Sequence, residues 1–268
     1  MTSLIPTNAA ITRRDAVRSL ATGISVALAA PLASACGNAR ARSDVDVEPG
    51  LGRLGARRTD SNEAWEPGLH PLDIGVRRDG ALYLPPAYRL DRAVPLVLLL
   101  HGAGGSGAAI TRRFRPYADE LGIAFVAPDS RGPTWNSGGR FGADVPFVDK
   151  ALRTAFLRCN TAPGRLYIAG FSDGASYSLS LGLTNGDLFP RIAAFSPGYL
   201  DPAEPHAKPE IFIAHGTRDD ILPIDVSSRR FVPWLRRDGY AVEYREFDGV
   251  HETPAEICRA AFQWLVRT

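Results

Sequence analysis

The stretch Gly170-Phe171-Ser172-Asp173-Gly174 decides the fold. It follows an apolar run over residues 166–169, typical of a buried strand, and precedes a helix-compatible run over 175–182. A serine flanked two positions away by glycines, between strand and helix, is typical of a sharp turn that exposes the hydroxyl above a sheet. Ser172 is therefore a candidate nucleophile for acyl transfer. A chance match is the alternative, because the chain contains 26 glycines, and the surrounding residues must decide between the two.

A nucleophilic serine needs a histidine as base, and with this turn the acid and then the histidine follow the serine in sequence. The chain has 5 histidines: His70, His101, His206, His215 and His251. The first two precede Ser172, His206 lies in a proline-rich stretch, and the best acids follow His215 instead of preceding it. His251 lies between a β-like run over 242–247 and the last helix-like segment. We therefore predict His251 as the base, an ordinary loop histidine being the alternative.

Asp219 and Asp220 lie in the loop after the apolar run 211–214. A buried carboxylate at this place would accept the histidine ring N–H, fix its tautomer and stabilise the imidazolium. We predict that Asp219 has this role, whereas Asp220 caps the next helix or is solvated.

The apolar run over residues 96–100 predicts a fully buried parallel strand. The glycine-rich segment 101–107 follows it, and its backbone can approach a tetrahedral oxyanion closely. The second donor to that oxyanion is expected to be the N–H of Asp173, the residue after the nucleophile. A phosphate-binding loop is the alternative, but the segment lacks the G-x-x-x-x-G-K-[ST] spacing and its lysine.

From about residue 72 to the C-terminus, the chain resembles α/β-hydrolases, in particular the phospholipase/carboxylesterase and polyhydroxybutyrate-depolymerase-like esterases. The segments that carry the resemblance are 82–86 (LYLPP), 100–105 (LHGAGG), 127–129 (APD), 170–174 (GFSDG), 215–219 (HGTRD) with Pro223, and 248–251 (DGVH). The resemblance implies Ser172 as nucleophile, Asp219 as acid and His251 as base. It also implies Ala103 and Asp173 as backbone donors to the oxyanion. It does not specify the substrate, because one fold hosts many chemistries.

Strand-like and helix-like segments alternate after residue 95, which predicts a mostly parallel twisted sheet with helices on both faces. An Asp-Gly turn at 79–80 predicts an initial hairpin between residues 72–76 and 81–84. The connection between the strands near 195 and 210 is too short for a large cap domain. We therefore expect an open site along the edge where the strands end.

Three residues are predicted to contact the substrate at this edge. They are Gly104 in the glycine-rich segment, Trp135 in the loop 130–144, and Tyr199 in the segment 196–200. Trp135 would stack on an acyl chain or aryl group, or would instead pack the loop.

The N-terminal residues predict export. Paired arginines at 13–14 and a short apolar stretch over 20–33 resemble a twin-arginine signal peptide over residues 1–35. The segment that ends at Cys36 is either a cleavage site of the A-x-A type or the lipidation site of a lipoprotein, and we favour the lipid anchor. Residues 36–66 are polar and predict a disordered linker, which leaves 67–268 as the hydrolase domain.

The charge balance argues against a nucleic-acid partner. The chain has 31 Lys and Arg against 29 Asp and Glu, and no basic stripe stands out. Cys159 and Cys258 are predicted as free buried thiols on opposite faces of the sheet. No histidine, cysteine or carboxylate cluster has metal-ligand spacing, so the chemistry requires no metal and no cofactor.

The sequence thus predicts a serine hydrolase that cleaves carboxylic esters of short to medium acyl chain or aryl type. A small serine peptidase or a thioesterase would use the same three residues. A non-catalytic surface-binding protein is a further alternative, against which the intact serine, aspartate and histidine argue.

Overall fold

The computed structural model describes residues 51–61, 63, 65–135 and 141–268. Its strands are β1 (Gly68–Pro71), β2 (Gly80–Leu84), β3 (Val94–Leu100), β4 (Ala124–Pro128), β5 (Thr161–Phe171), β6 (Arg191–Phe195), β7 (Glu210–Gly216) and β8 (Val242–Phe247). Its α-helices are α1 (Gly107–Leu121), α2 (Asp144–Arg158), α3 (Asp173–Thr184), α4 (Ser228–Arg237) and α5 (Ala255–Val266), and a 3₁₀ turn covers Ile224–Val226. None of these helices is long and apolar enough to cross a membrane.

The strands form one 8-stranded sheet in the order β1-β2-β4-β3-β5-β6-β7-β8. Strands β3 to β8 pair in parallel, and β1 and β2 add an antiparallel edge. The chain order reverses beside β3, and parallel strands end at the same edge of a sheet. The loops after β3, β5, β7 and β8 therefore meet at the carboxyl edge, where ligands bind in open sheets of this kind.

Two separate apolar clusters cover the two faces of the sheet. Helices α2, α3 and α4 pack on one face, where Cys159 is buried. Helices α1 and α5 pack on the other face, where Cys258 is buried. Both thiols are free, as predicted, and burial raises the pKa of Cys159 to about 12.

The initial hairpin differs from the prediction. Strand β1 ends at Pro71, and residues 72–76, predicted as a strand, belong to the loop before β2. The Asp79 carboxylate accepts the backbone N–H groups of Asp73 and Ile74, at 2.5 and 3.3 Å. These bonds replace the ladder that a strand here would have formed, because a short carboxylate side chain competes for nearby N–H groups.

No helix interrupts residues 196–209 between β6 and β7. This agrees with the prediction that no large cap domain is inserted at this point.

The predicted disordered linker over 36–66 is wrong for residues 51–57, which pack on the sheet and its helices. Leu54 is 2% exposed and Ala56 is fully buried. Their N–H groups bond to the side chains of Asn185, at 2.9 Å, and Asp149, at 2.5 Å. Both acceptors are buried polar groups, which need partners inside a folded protein. The sequence pattern missed this because two isolated apolar residues without periodicity give no signal.

Replacing Leu54 with alanine is expected to lower the free energy of unfolding by about 2–4 kcal/mol, since the buried side chain leaves a cavity. Leu51, which is 56% exposed, gives the matched control, and Leu51→Ala should change stability by less than about 0.5 kcal/mol. Urea unfolding measures both variants. Equal, small effects would mean that this segment does not pack on the domain in solution.

Candidate active site

Ser172 occupies the sharp turn between β5 and α3. Its backbone has φ 60° and ψ −122°, a region that costs a non-glycine residue about 1–3 kcal/mol. The Ser172 N–H donates to the Phe195 carbonyl at 2.9 Å, and its own carbonyl accepts the N–H groups of Ala175 and Ser176, at 3.0 and 3.1 Å. The neighbouring strand and the first helical turn therefore hold the strained residue in place.

The two glycines of the turn are required by close backbone packing. A Cβ atom on Gly174 would lie 2.3 Å from the Leu100 carbonyl oxygen, and one on Gly170 would lie 2.3 Å from the Gly174 oxygen. Both distances are far inside van der Waals contact. The spacing of the sequence motif is thus a direct consequence of the way α3 starts against β3 and β5.

His251, in the loop between β8 and α5, lies beside this serine. Its Nε2 is 2.8 Å from Ser172 Oγ, and its Nδ1 is 2.6 Å from Asp219 Oδ2. A carboxylate only accepts, so Nδ1 carries the proton and Nε2 is left to accept the serine O–H. The Phe171 ring packs on the imidazole, with 4.8 Å between ring centroids. In this arrangement Ser172 can transfer its proton to Nε2.

The Asp219 side chain is fully buried behind His251. Its Oδ1 accepts the N–H groups of Ile221 and Leu222, at 3.0 and 2.8 Å. Burial by itself raises the pKa of this carboxyl, but the hydrogen bonds from Leu222 and His251 outweigh it and hold the pKa below its ordinary value. Asp219 is therefore ionised at neutral pH, and the neighbouring Asp220 is exposed.

Backbone contacts between two loops fix the distance between Asp219 and His251. The Thr217 N–H donates to the Phe247 carbonyl and the Arg218 N–H to the Gly249 carbonyl, both at 2.9 Å. A Cβ atom on Gly216 would lie 2.4 Å from the Val250 oxygen, so only glycine allows this approach.

The glycine-rich loop after β3 lies against Ser172. A Cβ atom on Gly102, the residue before Ala103, would be 3.3 Å from Ser172 Cβ. Asp173 is the first residue of α3. The N–H groups in the first turn of a helix have no carbonyl partner within the helix and carry partial positive charge. Asp173 therefore directly follows Ser172 at the start of the helix, and the oxyanion roles of Ala103 and Asp173 stay predictions.

His101 ties this loop to the next one. Its Nε2 accepts the Ser130 N–H at 3.0 Å, so Nδ1 carries the proton and donates to the Gly102 carbonyl at 2.7 Å. Burial lowers the pKa of His101, which keeps the ring neutral. The Gly104 N–H donates to Pro133 O at 2.7 Å in the same pair of loops.

Comparisons with known sequences give two hydrolase relatives, and no family model matches the chain. The chain is 25% identical over 181 residues to NocK of Nocardia uniformis subsp. tsuyamanensis, a protein named as an esterase; the match covers 64% of this chain and 47% of NocK. It is 23% identical over 189 residues to acyl-protein thioesterase 1 of Emericella nidulans, covering 56% of this chain and 78% of that protein. The chain therefore spans only about half the length of NocK.

Solved structures agree with the observed topology. The chain matches esterase PE8 with a TM-score of 0.58 and 23% identity, covering 69% of this chain and 96% of that one. It matches S-formylglutathione hydrolase of Staphylococcus aureus with a TM-score of 0.58 and 16% identity, covering 74% and 96%. The chain has the α/β-hydrolase fold. The predicted fold class is confirmed.

Within this fold, the prediction that Trp135 contacts substrate is wrong for its ring. Trp135 is fully buried, its Nε1 donates to the His101 carbonyl at 2.8 Å, and its ring stacks on Tyr177 with centroids 5.3 Å apart. Trp135 therefore packs the loop, the alternative that the sequence left open. Gly104 is exposed and Tyr199 is half-buried at the carboxyl edge.

Three hydroxyl side chains along α3, those of Ser176, Ser180 and Thr184, anchor the loop that carries Tyr199. Each hydroxyl donates to the carbonyl four residues earlier. Each also accepts a backbone N–H from the loop: Ser176 from Gly198 at 2.8 Å, Ser180 from Asp201 at 3.0 Å and Thr184 from Ala203 at 3.1 Å. The Asp173 carboxylate adds bonds to the Trp135 N–H, at 2.7 Å, and to the Tyr199 hydroxyl, at 3.4 Å. The rim of the site is thus built from loops that α3 holds.

His101 and His215 were not predicted to act as the base, and the sequence predicted no other role for them. Both are buried beside the residues described above. Their only sequence signal is that each ends an apolar strand and precedes a glycine, which places it at the carboxyl edge.

Cys36, the predicted lipidation site, and the predicted signal peptide lie outside the described residues. Within the described ranges, no group of three or more His, Cys, Asp or Glu side chains could hold a metal ion.

Proposed function

We propose that this protein is a serine hydrolase that cleaves carboxylic esters through an acyl-enzyme on Ser172. The observation that carries the proposal is the hydrogen-bonded row from Ser172 Oγ through His251 to Asp219, with contacts of 2.8 and 2.6 Å. The relatives named as an esterase and a thioesterase support the same reaction class.

In the first half of the reaction, Ser172 Oγ attacks the ester carbonyl carbon while its proton passes to His251 Nε2. The carbonyl oxygen becomes an oxyanion, which accepts hydrogen bonds from the backbone N–H groups of Ala103 and Asp173. As the tetrahedral intermediate collapses, the carbon–oxygen bond to the alcohol breaks and His251 gives its proton to the leaving oxygen. Ser172 is left acylated.

In the second half, water takes the place of the alcohol. His251 removes a proton from the water as it attacks the acyl carbon, and the second tetrahedral intermediate forms on the same side of the serine. Collapse returns the proton to Ser172 Oγ and releases the carboxylic acid. Asp219 stays ionised throughout and stabilises the imidazolium in both halves.

An open carboxyl edge favours esters of short to medium acyl chain or aryl type, because residues 196–209 supply no helical cap over the acyl group. Gly104 and Tyr199 line this edge in the proposal. A thioesterase activity is the second candidate, favoured by the similarity to acyl-protein thioesterase 1.

Hydrolysis of p-nitrophenyl esters with two to twelve acyl carbons tests the proposal, with the matching acyl thioesters assayed in parallel. We expect turnover of the shorter esters and stoichiometric labelling of Ser172 by a fluorophosphonate, located by peptide mass spectrometry. No turnover of any ester together with no labelling of Ser172 would contradict the proposal. Faster turnover of every thioester than of its matched ester would replace it with the thioesterase.

We also propose that the chain is exported and tethered to a membrane through an acylated Cys36. The segment Ala33-Ser34-Ala35-Cys36 after an apolar stretch supports this. Intact-mass measurement of the exported protein tests it, since an unmodified Cys36 or a cleaved chain without lipid would contradict the tether.

A further inference from the structure

A second buried histidine contacts the carboxylate that orients His251. The His215 side chain is fully buried at the end of β7. Its Nε2 lies 3.1 Å from Asp219 Oδ2, the same oxygen that accepts the Nδ1–H of His251 at 2.6 Å. The Ser172–His251–Asp219 row therefore continues by one more ring, which lies behind the acid.

The hydrogen bonds of His215 define its protonation. Its Nε2 is 2.8 Å from the Leu222 carbonyl oxygen, which can only accept, so Nε2 carries the proton. Its Nδ1 is 2.7 Å from Ser228 Oγ, at the start of α4, and accepts the hydroxyl proton. Burial lowers the pKa of His215, so the ring is neutral. A single N–H thus faces two oxygens, Leu222 O and Asp219 Oδ2.

We infer that His215 is a positioning residue for the hydrolysis, which acts on His251 through Asp219. The Nε2–H of His215 donates to the Leu222 carbonyl and brings its partial positive charge to 3.1 Å from Asp219 Oδ2. Together with the bonds from Ile221 and Leu222 on Oδ1, this contact holds the carboxylate in the orientation that faces His251. The inference rests on the proposed function, because it gives His215 a role only where Asp219 and His251 take part in catalysis.

A role confined to satisfying the Leu222 carbonyl would not explain the geometry. That carbonyl needs one donor, which a side chain placed away from Asp219 could supply. Instead, the ring is held from its far side by Ser228 and lies within hydrogen-bond distance of the one carboxylate oxygen that contacts His251.

Other charged groups face this row and stay unchanged in the variants below. Glu246 on β8 pairs in register with His215 and is held by Arg229 from α4 at 2.7 Å. Arg113 on α1 lies over the Phe171 ring, 4.6 Å from its centroid. Arg218 pairs with Asp248 at the exposed rim, at 2.8 Å.

The test compares His215→Leu, which removes the donor at similar volume, with His215→Gln, whose amide can still donate to both oxygens. Loss of this N–H beside a charged carboxylate predicts a fall in kcat of about 10- to 100-fold for His215→Leu, with little change in KM. His215→Gln is expected to recover most of that loss. Without the donor, the carboxylate is less firmly held toward His251, so the bond between Asp219 and the His251 Nδ1–H weakens.

Melting temperatures and the NMR signal of the His251 Nδ1 proton complete the experiment. That signal needs no turnover, and we expect it further upfield in His215→Leu because the bond to Asp219 weakens. Equal losses in the Leu and Gln variants that follow the fraction of folded protein, with the proton signal unmoved, would overturn the inference. Failure of the wild-type enzyme to hydrolyse any ester would instead count against the proposed function, and the proton signal would still decide the role of His215.

Discussion

Replacing Ser172 with alanine is expected to lower the rate of p-nitrophenyl ester hydrolysis by about 10⁴-fold or more, since removal of a nucleophile that works with a histidine abolishes the covalent route. The residual rate would come from the oxyanion donors and substrate binding alone. The large loss is expected because the Ser172 hydroxyl that the substitution removes is the partner of His251 Nε2, at 2.8 Å. Steady-state kinetics on the ester that the wild type hydrolyses fastest measure the loss.

Ser178→Ala is the matched control for this experiment. Ser178 lies on the same helix, is fully buried, and its hydroxyl has no hydrogen-bond partner among the described residues. We expect it to keep the wild-type rate within about two-fold, because an unpaired buried hydroxyl contributes little. A rate in Ser172→Ala close to that of Ser178→Ala would show that the nucleophile is a different residue.

The parts of the site that depend on local geometry could be predicted from the sequence. The turn at Ser172 needs glycines on both sides because Cβ atoms there would collide with backbone. The sequence shows this requirement within five consecutive residues, so the turn could be predicted. The alternation of strand-like and helix-like segments likewise predicted the mostly parallel sheet, and the apolar runs over 96–100 and 211–214 lie within β3 and β7.

The parts that depend on distant contacts could not be predicted. Trp135 resembled a rim residue, but its burial arises from Tyr177 and His101, which lie far from it in sequence. Leu54 and Ala56 lie in a polar stretch, yet they pack in the apolar cluster on one face of the sheet, and Asn185 and Asp149 accept their N–H groups. His215 was dismissed because of its position before Asp219, although its ring folds back onto that same carboxylate.

Replacing Asp219 with asparagine is expected to lower kcat by about 10⁴-fold while the fold is retained, the size of loss that follows when the histidine adopts the wrong tautomer. Asp219 Oδ1 accepts two backbone N–H groups, from Ile221 and Leu222. In the variant the amide oxygen must stay at this place, which forces the NH₂ group to face His251. The His251 Nδ1 then becomes the acceptor and Nε2 carries the proton, so the ring can no longer accept the proton of Ser172.

Asp220→Asn is the matched control, because the exposed neighbour undergoes the same chemical change one residue away. We expect this variant to retain the wild-type kcat within about two-fold, since its side chain is exposed to solvent. Comparison of kcat for the two variants, with circular dichroism to verify the fold, separates the aspartates. A large loss in Asp220→Asn with an active Asp219→Asn would reassign the acid. Large losses in both would mean that the loop, and not a single carboxylate, sets the orientation of His251.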